Sequence, residues 1–119
     1  EVAGCRGRRR LDMEIKRFDV YLVSFDPTVG SEIRKSRPAI VISPDEVNRF
    51  LNTVIVAPLT STIKKFPTRV EVFFEKTHGE VALDQIRTVD KKRLKKKLGK
   101  IDGKGTEKMC EILLKMCAQ

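Results

Sequence analysis

The sequence predicts a mainly β (β+α) domain: a small β-barrel with one short inserted helix and a C-terminal amphipathic helix. Three observations carry this. Five short runs rich in apolar, β-branched and aromatic residues recur with turn signals between them at near-regular spacing. No strand–helix–strand alternation and no internal repeat is present. Met109, Ile112, Leu113 and Met116 fall at helical spacing near the end of the chain.

The first strand is expected over Phe18–Phe25, stopped by the turn signal Asp26-Pro27. Val29–Ser36 is polar and holds a glycine, so it reads as a loop. Pro38 can open a strand, and Ala39-Ile40-Val41-Ile42 reads as one buried on both faces. Ser43-Pro44-Asp45-Glu46 is a helix start. Ser43 suits the cap, Pro44 the first helical position, and Glu46 completes a capping box, giving a short helix to about Leu51. Thr53–Leu59 is a further buried strand, and Thr60–Thr68, with Lys64-Lys65 and Pro67, a loop. Arg69–Phe74 begins with the polar/apolar alternation of a half-exposed strand. Lys76-Thr77-His78-Gly79 reads as a turn and Val81–Val89 as one strand with Val81, Leu83 and Ile86 inward. The closing helix is expected over Thr106–Cys117.

At 119 residues the chain suits a single domain with a real core. We assign residues 13–119 to that domain. Residues 1–12 show no apolar period, and their basic run Arg8-Arg9-Arg10 is not followed by the apolar region of a signal peptide. They read as a disordered N-terminal extension or an expression remnant. No apolar run approaches the ~18 residues of a membrane span.

The formal charge is +9. The first twelve residues contribute four Arg against one Glu and one Asp, so +7 belongs to the domain itself. Such an excess is the footprint of a polyanion binder, with an acidic protein partner as the alternative. No basic amphipathic helix with aromatic anchors supports a membrane surface. Lys91–Lys100 holds seven Lys or Arg in ten residues. It is either a phosphate track or a solvated face.

The three cysteines, Cys5, Cys110 and Cys117, form no C-x-x-C pair, and His78 is the single histidine. This argues against a disulfide framework, a zinc site and a pair of acid–base histidines. Cys110 and Cys117 are expected as small core residues on one helix face in a reducing cytoplasm. Asp84, Asp90 and Asp102 are too scattered to suggest a metal nuclease. No metal and no cofactor are therefore expected.

The run Asp26-Pro27-Thr28-Val29-Gly30-Ser31-Glu32, then Arg37-Pro38 with its strand, then Pro58-Leu59-Thr60-Ser61, resembles the MazF/PemK family of toxin endoribonucleases. Asp84-Gln85-Ile86-Arg87-Thr88-Val89-Asp90 resembles a further motif near that family's RNA groove. The motifs stand in the family's order across roughly Glu14–Ile101. The resemblance implies an SH3-like barrel, a cytoplasmic homodimer, single-stranded RNA as substrate, and an antitoxin whose acidic disordered segment lies in the RNA groove. One departure stands out: the family commonly has glycine before the Asp-Val-Tyr of its first strand, and this chain has Phe18 before Asp19-Val20-Tyr21.

RNA carries its own nucleophile. Its 2′-hydroxyl can attack the adjacent phosphorus, giving a cyclic phosphate and a free 5′-hydroxyl. The protein must hold the nucleotides in line and stabilise charge on the phosphorane. An arginine fork suits that charge, and a threonine hydroxyl can donate one more hydrogen bond. By themselves Arg37 reads as a surface charge and Thr60 as a turn residue. The resemblance implies that both are catalytic, Arg37 stabilising the phosphorane and Thr60 contacting the scissile phosphate. It implies RNA binding for Ser31 and Glu32 in the mobile loop, for Ser61 beside Thr60, and for Gln85. Arg87 suits RNA binding or an ion pair equally.

Two rivals stand against this. Related CcdB-type barrels poison DNA gyrase by binding protein, but they lack the Arg/Thr pair. A non-catalytic RNA-binding barrel would want a stacking platform, for which 6% aromatics and no Trp are a poor supply.

Overall fold

The computed structural model describes residues 14–25, 36–75, 77–101 and 103–118. The basic stretch 1–12 with Cys5, and the loop residues Ser31 and Glu32, lie outside the described residues. In chain order the elements are β1 (Asp19–Ser24), β2 (Ser36–Val41), α1 (Asp45–Phe50), β3 (Thr53–Thr60), β4 (Arg69–Phe74) and β5 (Thr77–Ala82). A 3-10 turn over Leu83–Gln85 leads to β6 (Arg87–Asp90). A second, over Lys91–Arg93, leads to β7 (Leu94–Lys100), and α2 (Lys104–Cys117) follows.

The strands form one antiparallel sheet in the order β4-β5-β3-β2-β1-β7, with β6 also on β3. β3 is the spine. Its Val56–Pro58 pairs with β2, its Thr53–Val56 with β6, and its Leu59 and Thr60 with β5. One strand thus serves two sheet segments, and the sheet curls around it.

Side chains alternate across a strand, so each sheet face collects every second residue. One face gathers Val20, Ile40, Ala57, Leu59, Val70, Val72 and Val81 with Met109 and Ile112 of α2. The other gathers Tyr21, Val23, Phe25, Ala39, Val41, Val54, Val56 and Val89. Two buried faces explain why Ala39–Ile42 and Val54–Ala57 are apolar without alternation. The mainly β class, the inserted helix and the C-terminal helix agree with the sequence reading.

Several details differ from expectation. The described residues form seven strands, not five. The expected Val81–Val89 strand breaks at Leu83, whose amide donates to the Thr68 carbonyl (3.1 Å) while Asp84 is drawn to Arg69. Beyond the break Ile86 is 37% exposed rather than inward. The basic run contains a strand, β7, at the end of the sheet. Its exposed Lys95 and Lys96 are the kind of charge that keeps an open edge from pairing with another chain. The turn expected at Lys76–Gly79 belongs largely to β5.

α1 has no side-chain cap, so the capping box does not form. Ser43 is instead buried, bonded to the Asn48 side chain and accepting from the Ile55 amide (3.1 Å), which ties α1 to β3. Cys110 is half-buried and Cys117 exposed, so neither is the core residue expected. Met116 of the expected apolar stripe is exposed as well.

Phe18 answers its own anomaly. The Asp19 amide donates to the Lys16 carbonyl (3.0 Å), and Phe18 takes φ 72° in the left-handed region that a tight turn of this kind requires. A glycine adopts that conformation without strain, and a phenylalanine does not. The ring packs against the core and the Arg17 guanidinium lies 5.5 Å from its centroid, which offsets part of the cost.

Candidate active site

The β2–β3 register pairs Ala39 with Pro58, Ile40 with Ala57 and Val41 with Val56. Arg37 and Thr60 each lie two residues beyond the Ala39–Pro58 pair, at the same end of the two strands and on the same face. Arg37 pairs with Val23 of β1, and Thr60 with Glu80 of β5. Directly opposed residues share a sheet face. Leu94, Val23 and Arg37 therefore form one row across β7, β1 and β2, and Thr60, Glu80 and Glu71 another across β3, β5 and β4, on the same face.

Phe25 follows β1 and Arg87 opens β6, strands separated in the sheet by β2 and β3. Three strand spacings are about 14 Å. Yet the Arg87 guanidinium lies 5.5 Å from the Phe25 ring centroid, a cation–π contact. The two long side chains span that distance over β2 and β3, which carry Arg37 and Thr60.

Arg37 is half-buried, and among the described residues its Nε is buried with no hydrogen-bond partner. Leaving a buried donor unsatisfied costs about 1–3 kcal/mol, more for a charged group. The guanidinium is thus held ready for an acceptor.

Thr60 ends β3. Its Oγ1 accepts from the Thr62 amide (3.2 Å), a hydroxyl turn of the kind that closes strands. That bond orients the oxygen and leaves its O–H to donate elsewhere. Ser61 is exposed at the start of the following loop, and Gln85 is half-buried at the end of the 3-10 turn. The register and the Phe25 contact bring Arg37, Thr60 and Arg87 to one face, and Ser61 adjoins it through Thr60. The Arg87 guanidinium is engaged with the Phe25 ring.

Three residues of this region were missed by sequence reasoning. A Cβ on Gly79 would meet the Thr60 carbonyl oxygen at 2.6 Å, so glycine permits β5 to lie against the end of β3. Glu80 is fully buried, accepts from the Lys64 and Lys65 amides and faces Arg69. Arg69 in turn grips Asp84 through Nε (2.7 Å) and Nη2 (3.3 Å). A lone acid among apolar residues, Gly79-Glu80-Val81, was the available signal.

Tyr21 sits on the same face, fully buried, its hydroxyl pushed up to about 12 by burial and by Asp19. It is no acid or base near neutral pH. Among the described residues no group of three or more His, Cys, Asp or Glu side chains gathers to hold a metal ion. No described helix is long and apolar enough to cross a membrane.

Residues 16–117 match the model of a family described as PemK-like, MazF-like toxin of type II toxin–antitoxin system. The chain belongs to the PemK/MazF toxin family. Within that family it is 42% identical over 107 residues to the Endoribonuclease EndoA of Bacillus subtilis, covering 85% of this chain and 92% of that one. Its fold is similar to MazF from Deinococcus radiodurans (TM-score 0.75, 25% identity, 88% of this chain and 94% of that one). It is also similar to a mycobacterial endoribonuclease solved in complex with its cognate antitoxin (TM-score 0.72, 25% identity, 84% and 91%). In this PemK/MazF chain Phe18 takes the left-handed turn position that a glycine would adopt without strain.

Proposed function

We propose that the chain is a toxin endoribonuclease that cleaves single-stranded RNA through attack of the RNA's own 2′-hydroxyl, leaving a cyclic phosphate and a 5′-hydroxyl. The observation that carries this is the register that brings Arg37, with its orphaned Nε, and Thr60 to the same end and the same face of neighbouring strands. A phosphate between them accepts a bidentate hydrogen bond from the guanidinium and another from the threonine hydroxyl. Both strengthen as charge builds on the phosphorane, and one such preorganised donor contributes roughly 3–4 kcal/mol in the transition state. Arg37 acts as an electrostatic clamp on the phosphorane rather than as a base: as the O2′–P bond forms and the P–O5′ bond breaks, the 2′-hydroxyl proton passes to solvent, and the 5′-oxygen takes a proton from Arg37 that solvent restores.

Arg87 on its Phe25 support, Gln85 and Ser61 flank the pair as RNA contacts, and Ser31 and Glu32 complete the set from the β1–β2 loop. The cleavage step asks nothing of a metal, because the nucleophile is intramolecular. The protein acts as a cytoplasmic homodimer formed by the single domain 13–119. A cognate antitoxin inhibits it by laying an acidic segment along the same face, in keeping with a domain charge of +7 and with the antitoxin complex of the mycobacterial relative.

The test is digestion of a mixed-sequence RNA in EDTA, with the ends mapped. Cleavage with 5′-hydroxyl products is expected. The same site placed in a duplex should be spared, since A-form geometry resists in-line attack. A 2′-deoxy nucleotide at the cut site should bind and not be cut. Products with 5′-phosphate ends, or normal cutting of the deoxy site, would refute the mechanism.

A further inference from the structure

The end of β3 turns immediately into the loop 61–68; the Thr62 amide orients the Thr60 hydroxyl, but the precision that phosphate contact requires also needs the loop backbone itself to be fixed. The structure supplies that fixation from β5. Glu80 stands directly opposite Thr60, on a strand that the absence of a Cβ at Gly79 lets approach the Thr60 carbonyl. Its side chain is fully buried. Oε1 accepts from the Lys64 amide (3.1 Å) and from Arg69 Nη1 (3.3 Å), and Oε2 accepts from the Lys65 amide (2.8 Å). Every oxygen of the carboxylate is used, and two of its three partners are backbone of the loop that leaves Thr60. Lys65 lies at φ 55°, a left-handed conformation that a lysine resists. The bond to Glu80 is what holds it there.

A buried carboxylate is costly unless it is fully paired, and a hydrophobic residue would fill the space at lower cost. The chain nevertheless places a charge at this point and surrounds it with donors. The role that explains the charge is control of the loop backbone.

We propose that Glu80 is a positioning residue for RNA cleavage: by drawing the Lys64 and Lys65 amides against β5, it fixes the end of β3 and the donor geometry of Thr60. This rests on the reading of Thr60 as a phosphate donor. Glu80 itself touches no substrate. Arg69 shares the task by neutralising Glu80 while its other edge holds Asp84.

The experiment is a double-mutant cycle on the full chain, read by single-turnover cleavage and by affinity for an uncleavable 2′-deoxy-substituted RNA. Glu80→Gln keeps the shape but replaces one acceptor oxygen with a donor that faces other donors. It should lower the cleavage rate about tenfold while affinity changes less than about threefold. Glu80→Ala should lose at least as much. In a Thr60→Ala background, Glu80→Gln should cost less than about twofold more, because a positioning residue has nothing left to position. Melting curves of each variant set an assay temperature at which all are folded. Equal losses in both backgrounds, or an unchanged rate in folded Glu80→Gln, would overturn the proposal with the Thr60 reading intact. Normal cleavage by Thr60→Ala alone would instead overturn the Thr60 reading and this proposal with it.

Discussion

Gly79 lies against Thr60 so closely that a Cβ on it would sit 2.6 Å from the threonine's carbonyl oxygen. The obstacle is backbone, so it cannot swing aside as a side chain would. Gly79→Ala should push β5 off the end of β3 and cost about 1–3 kcal/mol, as overpacking at a closed site does. Urea unfolding measures that loss. Cleavage measured under conditions where the variant remains folded should fall as well, since the displaced strand carries Glu80. An unchanged unfolding midpoint would show that β5 accommodates the methyl group.

Arg37 should separate activity from stability. Removing a half-buried guanidinium with an unpartnered Nε relieves a desolvated donor, so Arg37→Ala should melt at the same temperature as the parent or higher. Its cleavage rate should nevertheless drop by about 100-fold or more, and Thr60→Ala should follow with a smaller loss. Calorimetry beside an RNA cleavage assay checks both. A large loss of stability in Arg37→Ala would assign the residue to the fold instead.

Acid should weaken the β4–β5 region through its paired carboxylates. Burial alone would raise Glu80, but the Lys64 and Lys65 amides and Arg69 outweigh it and hold the group below its ordinary 4.5. Hydrogen bonds from Arg69 hold Asp84 below its ordinary 3.8. A carboxyl depressed in the folded state contributes its stabilisation in full above the unfolded value and loses it as pH falls through the folded one. Melting temperature should therefore be insensitive to these two groups near neutrality and decline below about pH 4.5. In Glu80→Gln the decline should be shallower and the deficit against the parent should shrink with acid. A deficit that grew in acid would contradict the pairing.

Phe18 gives a test of backbone strain. At φ 72° alanine keeps the strain and loses the ring, while glycine loses the ring and the strain together. Phe18→Gly should thus be more stable than Phe18→Ala by about 1 kcal/mol. Denaturant unfolding of the two variants decides it, and equal midpoints would mean that the turn relaxes.

The basic run divides by use. Lys97 pairs with Asp19 (3.4 Å) and Arg93 donates to the Ser24 carbonyl (3.2 Å), whereas Lys95 and Lys96 are exposed on the outer strand. If the latter two contact RNA, replacing both with Gln should lower the log–log salt slope of binding by about 0.7 for each. An unchanged slope would leave them as guards of the sheet edge.

The sequence by itself determined the class of the fold, because strand periodicity, turn residues and one helical stripe are local signals. β4 was legible to the residue, since Arg69–Phe74 begins by alternating across a half-exposed surface. Arg37 and Thr60 were legible as candidates through their motifs. Tertiary structure decided the rest. That Arg37 and Thr60 come to the same end and face of neighbouring strands follows from strand register, which no local pattern encodes. The break at Leu83 defeats a sequence that reads as continuous strand, because Thr68 and Arg69, distant in the chain, capture Leu83 and Asp84. The strand within Lys91–Lys100 was hidden because an outer strand exposes its side chains and needs no apolar period. Ser43 looked like a helix cap and became a buried link to β3, since its hydroxyl had a better-placed partner in another element. Glu80 was invisible as a clamp for the same reason: its partners lie 11, 15 and 16 residues away, and only folding brings them to one carboxylate.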